Sequence, residues 1–94
     1  MKKHRLHYNL WIKIFLFVGD NEGLYNREIT ELTRATSTTV HHVVRSLTLM
    51  GYLCWKHETT KRIKNYYLTE KGRLAHEVLK QIEVDSFIIM EGGL

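Results

Sequence analysis

Proline is absent from the 94-residue chain, and cysteine occurs once, as Cys54. Without proline there are no cis-prolyl turns and no polyproline segments. A lone cysteine excludes an intrachain disulfide framework and a multi-cysteine zinc site, and it suits a reducing compartment such as the cytoplasm. No apolar run reaches the ~20 residues that span a bilayer. The longest, Leu10 to Val18, is interrupted by Lys13 and is followed by Gly19-Asp20-Asn21-Glu22-Gly23, not by a small-x-small cleavage site, so a secretory signal is not expected. There is no nucleophile elbow, no phosphate-cradling glycine loop and no HExxH, so the chain is not expected to be an enzyme. Its length fits one domain, residues 1–94, with a single small core.

What is present is a succession of short periodic segments. Residues 6–18 read as a helix ended by Gly19-Asp20-Asn21. Its apolar residues cover roughly 260° of the circumference, which calls for burial on more than one side and makes a second copy of the chain the expected cover. Leu24-Tyr25 is a brief extended segment. Asn26 is a candidate N-cap for a helix from Arg27 to about Thr33, with Ile29 and Leu32 inward. Thr36 or Ser37 then caps a helix over 37–50, whose Val40, Val43, Val44, Leu47 and Met50 fall at the spacing of a buried stripe. Gly51 stands where a left-handed helix-ending residue belongs. Beyond it the period changes to two. Residues 52–57 place Leu53 and Trp55 on one face, residues 63–68 place Tyr66 and Leu68 on one face, and 52–68 read as a β-hairpin. Thr69 caps a last helix over 69–90, with Glu70 in its first turn and Leu74, Ala75, Val78, Leu79 and Ile82 as its apolar stripe.

The expected class is therefore α+β, mostly helical, in the order helix, helix, helix, hairpin, helix. Two helices (27–50) joined by a three-to-four-residue turn and followed by a hairpin make a winged helix-turn-helix. Asn26-Arg27-Glu28-Ile29-Thr30-Glu31-Leu32 resembles the second helix of winged regulators of the MarR and PadR kind. Thr36-Ser37-Thr38-Thr39-Val40, with Leu47 through Leu53, resembles their recognition helix and the glycine turn that follows it. Tyr66-Tyr67-Leu68-Thr69-Glu70-Lys71-Gly72 is similar to the stretch that closes their wing and opens the next helix. The resemblance covers about residues 10 to 82. It implies a transcription regulator that binds double-stranded DNA, in a compact form similar to those of archaea and their viruses, in the host cytoplasm if viral. Glu58 and Arg62 partly echo the acid–arginine pair of the family's wing tip.

Charge placement supports the same reading. Residues 34–73 hold eight basic and two acidic side chains, a net +6, whereas the rest holds six basic and eight acidic, a net −2. Basic charge concentrated on one unit is the footprint of phosphate binding through counterion release. On the 37–50 helix, Ser37, Thr38, His41, His42 and Arg45 lie opposite the apolar stripe and could reach base edges in a major groove. Arg34, Lys61, Arg62 and Lys64 complete the expected DNA contacts, with the wing tip 58–64 on the backbone or in the minor groove.

A homodimer is expected through Leu10, Trp11 and Phe15 of the first helix and Val78, Ile82, Phe87 and Ile89 at the C-terminal end. Trp55, Tyr66 and Tyr67 read as core or dimer aromatics, and Cys54 as a small buried hydrophobe. His41 and His42 are helix neighbours splayed ~100° apart, and His4 and His7 have no carboxylate or thiol close in sequence, so neither a metal nor a cofactor is expected. Nothing in the sequence points to a small-molecule effector. The alternatives are a winged helix used for protein–protein contact and a nonspecific nucleic-acid or chromatin binder, which would show steep salt dependence and little sequence preference.

Overall fold

A central helix organises the molecule. In the computed structural model, which describes the backbone of residues 2–88 and the side chains of residues 10–82, α1 spans Lys2–Asp20. It is followed by β1 (Leu24–Tyr25), α2 (Asn26–Thr33), α3 (Ser37–Leu49), β2 (Leu53–Lys56), β3 (Asn65–Leu68) and α4 (Glu70–Ile88). α1 touches α2, α3, α4 and β3. Ile14 and Val18 of α1, Ile29 of α2, Val40, Val43 and Val44 of α3 and Leu53 of β2 are fully buried together. This is why α1 is apolar over so much of its circumference. Phe15 and Leu16 are also buried, and Leu10, Ile12 and Phe17 are half-buried. The protomer covers most of the arc that the sequence suggested would need a second copy. Phe15 in particular lies at 4% exposure against Tyr52 and His76, which takes it off any outward face.

The helix-turn-helix forms where expected, with local corrections. Tyr25, not Asn26, is the N-cap of α2, and its backbone N–H donates to the Glu28 carboxylate at 3.2 Å. Leu32 is turned outward because Thr33 takes the inner position, its hydroxyl satisfied by donation to the Ile29 carbonyl at 2.7 Å. Thr36 caps α3 by accepting from the Thr39 N–H at 3.1 Å. α3 closes with Gly51 at φ 87°. The Gly51 N–H donates to the Thr48 carbonyl and the Tyr52 N–H to the Leu47 carbonyl, the paired bonds of a Schellman ending. This ending leaves Met50 outside the core, half exposed.

The wing is three-stranded, in the order β1-β3-β2, all antiparallel. Leu24 and Tyr25 pair with Tyr66 and Asn65, so the brief extended segment is the third strand. Leu53↔Leu68 and Trp55↔Tyr66 are in register. Both long strands are shorter than their periodicity suggests, because residues 57–64 form their own loop, in which the Ile63 N–H donates to the Thr60 carbonyl at 3.3 Å. Trp55 and Cys54 are exposed rather than core, since α3 covers β2 only as far as Leu53.

Thr69 joins wing and α4, donating to the Gly51 carbonyl at 2.5 Å and accepting from the Gly72 N–H at 2.9 Å. On α4, Ala75 and Leu79 pack on the core. Leu74, Val78 and Ile82, spaced four residues apart, are more than half exposed. The side chains of Phe87 and Ile89 lie outside the described residues.

Candidate nucleic-acid interface

The four valine and leucine contacts of α3 with the core fix the rotation of the helix and hence what it shows outward. Val40, Val43, Val44 and Leu47 are buried. Ser37, Thr38, His41, His42 and Arg45 are all exposed. At 100° per residue they fan across the outer face rather than forming a single row. Ser37 and His41 turn toward α2 and the wing, and Ser37 donates to the Asn26 carboxamide oxygen at 3.3 Å. Thr38 and Arg45 lie on the helix face opposite the buried stripe. His42 lies on the opposite flank, edge-on to Trp11 of α1 with ring centroids 5.8 Å apart. The five residues grouped together by the sequence therefore divide into three directions.

Between α2, the start of α3 and the wing runs a groove of about 810 Å³. Arg27, Thr30 and Glu31 line one wall, Ser37 and His41 the floor, and Arg62, Ile63 and Lys64 the other wall. Arg34 stands at the turn between the two helices, where it takes the left-handed conformation, φ 62° and ψ 17°, as the C-cap of α2.

The wing carries its cations in two ways. Lys64 lies 4.6 Å from the centre of the Trp55 ring, and His57 meets the same ring edge-on at 4.9 Å. Lys56 lies over Tyr67 and pairs with Glu58 at 3.8 Å, and the Tyr67 hydroxyl donates to Glu58. Glu58 is thereby engaged with Lys56 and Tyr67 and does not pair with Arg62. Lys61 and Arg62 sit at the exposed tip.

A sorting emerges from the ion pairs. Arg27 of α2 pairs with Glu31, and outside the helix-turn-helix and wing tip Arg73 pairs with Glu22 and Lys80 with Asp20, while Lys13 of α1 is in no ion pair among the described residues. Between residues 34 and 73, Lys56 is paired and Lys64 and Lys71 lie over aromatic rings. The charged ends of Arg34, Arg45, Lys61 and Arg62 are engaged by nothing among the described residues. Four unneutralised guanidinium and ammonium groups on one unit create a field suited to a polyanion. Burial pushes the Tyr66 phenol up from its ordinary 10.0.

Two features escaped the sequence. Trp55 is a surface platform for Lys64, not a core residue. Asn65 is buried and bridges the wing loop to the segment before α2. A polar residue at the start of an otherwise apolar and aromatic strand was the available signal for Asn65.

No family model and no curated protein matches the chain. Solved structures do. The transcriptional regulator SlyA superposes with a TM-score of 0.80 at 24% identity, covering 90% of this chain and 60% of that one. Streptococcus pneumoniae FabT in complex with DNA gives 0.79 at 20% identity, covering 89% and 59%. A MarR family regulator from Listeria monocytogenes complexed with 26mer DNA gives 0.82 at 18% identity, covering 89% and 57%. The fold is thus the winged helix-turn-helix found in MarR-type regulators, and the chain spans about 60% of the length of the structures it matches. Among the described residues, no helix is long and apolar enough to cross a membrane.

Proposed function

We propose that the chain is a sequence-specific regulator of transcription that binds double-stranded DNA as a homodimer. α3 enters the major groove and the loop 58–64 lies on the backbone or in the minor groove. The observation that carries this reading is the set of four unengaged cations, Arg34, Arg45, Lys61 and Arg62, on the helix-turn-helix and wing, whereas Arg27, Arg73 and Lys80 are ion-paired. A winged helix used for protein contact has no need of free positive charge on both its helix and its wing. Two solved relatives of this fold are bound to DNA, which supports the same partner here.

In this reading Arg45 and Thr38 meet base edges, since helix periodicity sets them opposite the buried face of α3, and Ser37 and His41 meet the strand that passes along the groove. His42 serves at the flank near Trp11. Arg34, Lys61, Arg62 and Lys64 contact phosphate or the minor groove. The dimer uses the exposed row Leu74, Val78 and Ile82 of α4, with Trp11 of α1. An isologous two-fold pairing of that row would present two α3 helices to an inverted repeat. The role places the chain where duplex DNA and a reduced Cys54 coexist, in the cytoplasm.

Selection of bound sequences from a random duplex pool at physiological salt tests the proposal. Recovery of an inverted repeat is the expected result. Flat enrichment would turn the reading toward a nonspecific binder, and no retained DNA toward a protein-contact module.

A further inference from the structure

Asn65 is one of two buried polar side chains among the described residues, at 4% exposure. Its carboxamide oxygen accepts from the backbone N–H groups of Glu58, at 3.0 Å, and Thr59, at 3.1 Å. Its carboxamide nitrogen donates to the Gly23 carbonyl at 2.9 Å and to the Thr59 hydroxyl at 2.8 Å. Backbone N–H groups can only donate and a carbonyl can only accept, so these partners fix which end of the amide faces which way. Two donors and two acceptor positions are all filled. Among the natural side chains of this size, only asparagine supplies both. Aspartate would set a carboxylate oxygen against the Gly23 carbonyl, and leucine would leave buried donors and an acceptor unpaired.

The four bonds join two parts of the fold that lie far apart in sequence. Gly23 opens the segment that leads through β1 into α2 at Asn26. Glu58 and Thr59 open the loop that carries Lys61 and Arg62. The backbone pairing of β1 with β3 holds the strands themselves, but it does not reach residues 58–59. Through the Asn65 amide, the root of the wing loop is tied to the segment that leads into the helix-turn-helix.

We infer that Asn65 is a positioning residue: it holds the wing cations Lys61 and Arg62 at a set distance from α3, so that helix and wing engage one duplex together. The inference rests on the DNA-binding reading. It concerns a side chain that touches no DNA and acts only through the loop it anchors. A wing released from the anchor keeps its charges but must be ordered at the moment of binding, which weakens contact with phosphate.

The test uses the full chain and a labelled mixed-sequence duplex, because phosphate contact is independent of sequence. Asn65→Asp should weaken binding about tenfold at low salt and lower the salt slope by about two, as expected when two phosphate contacts are lost at ~0.9 each. In a Lys61→Ala/Arg62→Ala background the same substitution should have no further effect. Amide exchange at Glu58 and Thr59 should speed up while that of α3 is unchanged. Thr59→Ala, an exposed change that removes only one of the four bonds, should shift affinity in the same direction by less, and it decides the matter if Asn65→Asp does not fold. Unchanged affinity and slope in a folded Asn65→Asp chain would overturn the inference and leave the DNA reading standing. An equal loss with and without the wing cations would also overturn it, because Asn65 would then be supporting the fold in general. If the wild-type chain fails to bind duplex at all, the DNA reading itself falls and takes the inference with it.

Discussion

The carbonyl oxygen of Tyr52 occupies the space a β-carbon on Gly72 would need, well inside 3.0 Å of it. Gly72 is buried in the first turn of α4, and the Thr69 N–H donates to the same carbonyl at 3.1 Å. The close approach seats the first turn of α4 against the turn between α3 and β2. Gly72→Ala must push backbone away from backbone, since no flexible side chain is there to give way. It should destabilise the fold by ~1–3 kcal/mol, the usual range for overpacking. At about 4–8 °C per kcal/mol for a domain of this size, the fall should be plain in a thermal melt. An unchanged Tm would mean that α4 docks less tightly than described.

Arg34 is the one non-glycine residue at positive φ among the described residues. Holding a side chain in that region costs roughly 1–2 kcal/mol, which glycine would avoid in part. Arg34→Gly should therefore raise the unfolding free energy by about 1 kcal/mol and at the same time weaken duplex binding. A variant that melts higher and binds equally well would remove Arg34 from the interface.

Arg45 and Lys61 should fail differently when truncated. Arg45→Ala should cost ~1–3 kcal/mol of discrimination at one base position, with little change in binding to scrambled duplex. Lys61→Ala should weaken all duplexes alike and lower the salt slope by about one. Titrations of both variants against selected and scrambled duplexes at several salt concentrations separate the two. If Arg45→Ala keeps the full specificity ratio, the base-reading face has been placed wrongly.

Val78 lies in the middle of the exposed α4 row, at 59% exposure. A carboxylate there meets water in a monomer but faces a partner in a dimer. Val78→Asp should therefore shift sedimentation to an 11.2 kDa species and leave far-UV circular dichroism unchanged. Wild-type chain that already sediments as a monomer at micromolar concentration would refute the dimer.

Stability should fall at alkaline pH, with Tyr66 as one identifiable cause. Burial favours its neutral phenol in the folded chain, so its proton is held past the ordinary value of 10.0. As pH rises through that value the unfolded chain ionises first and binds fewer protons than the folded one, and stability declines with pH. The contribution is fully present below about pH 10 and is lost above it. Tyr66→Phe should flatten the decline relative to wild type in denaturant titrations at pH 9 to 11; identical slopes would assign the loss to other groups.

Much of this arrangement could be read from residue order, because it is local. The stripe Val40, Val43, Val44 and Leu47, the Thr36 and Thr69 caps and the Gly51 ending each depend on neighbours within a turn or two of helix. What could not be read depends on contacts across long separations. Leu24-Tyr25 becomes a strand only because β3 arrives beside it, some forty residues later. Leu32 and Thr33 compete for one inward position, and their spacing does not say which wins. Trp55 alternates correctly with Leu53, yet α3 ends its cover of β2 before reaching it. His42 lies ~60° round the helix from Arg45, and that Trp11 stands beside it depends on where α1 packs. The apolar arc of the first helix suggests a second copy as its cover, because periodicity along one helix does not show that α2, α3 and α4 all pack around it.

That central seat of α1 has a bearing on how the molecule would behave at low abundance. A chain that buries most of the apolar arc of its central helix by itself depends less on a companion in order to fold, so association can be weak without leaving denatured protein behind. Newly made copies would persist as intact single units until their number rose past the association threshold. Occupancy of a paired site would then climb with roughly the square of the amount present, a steeper dose response than an obligate pair allows.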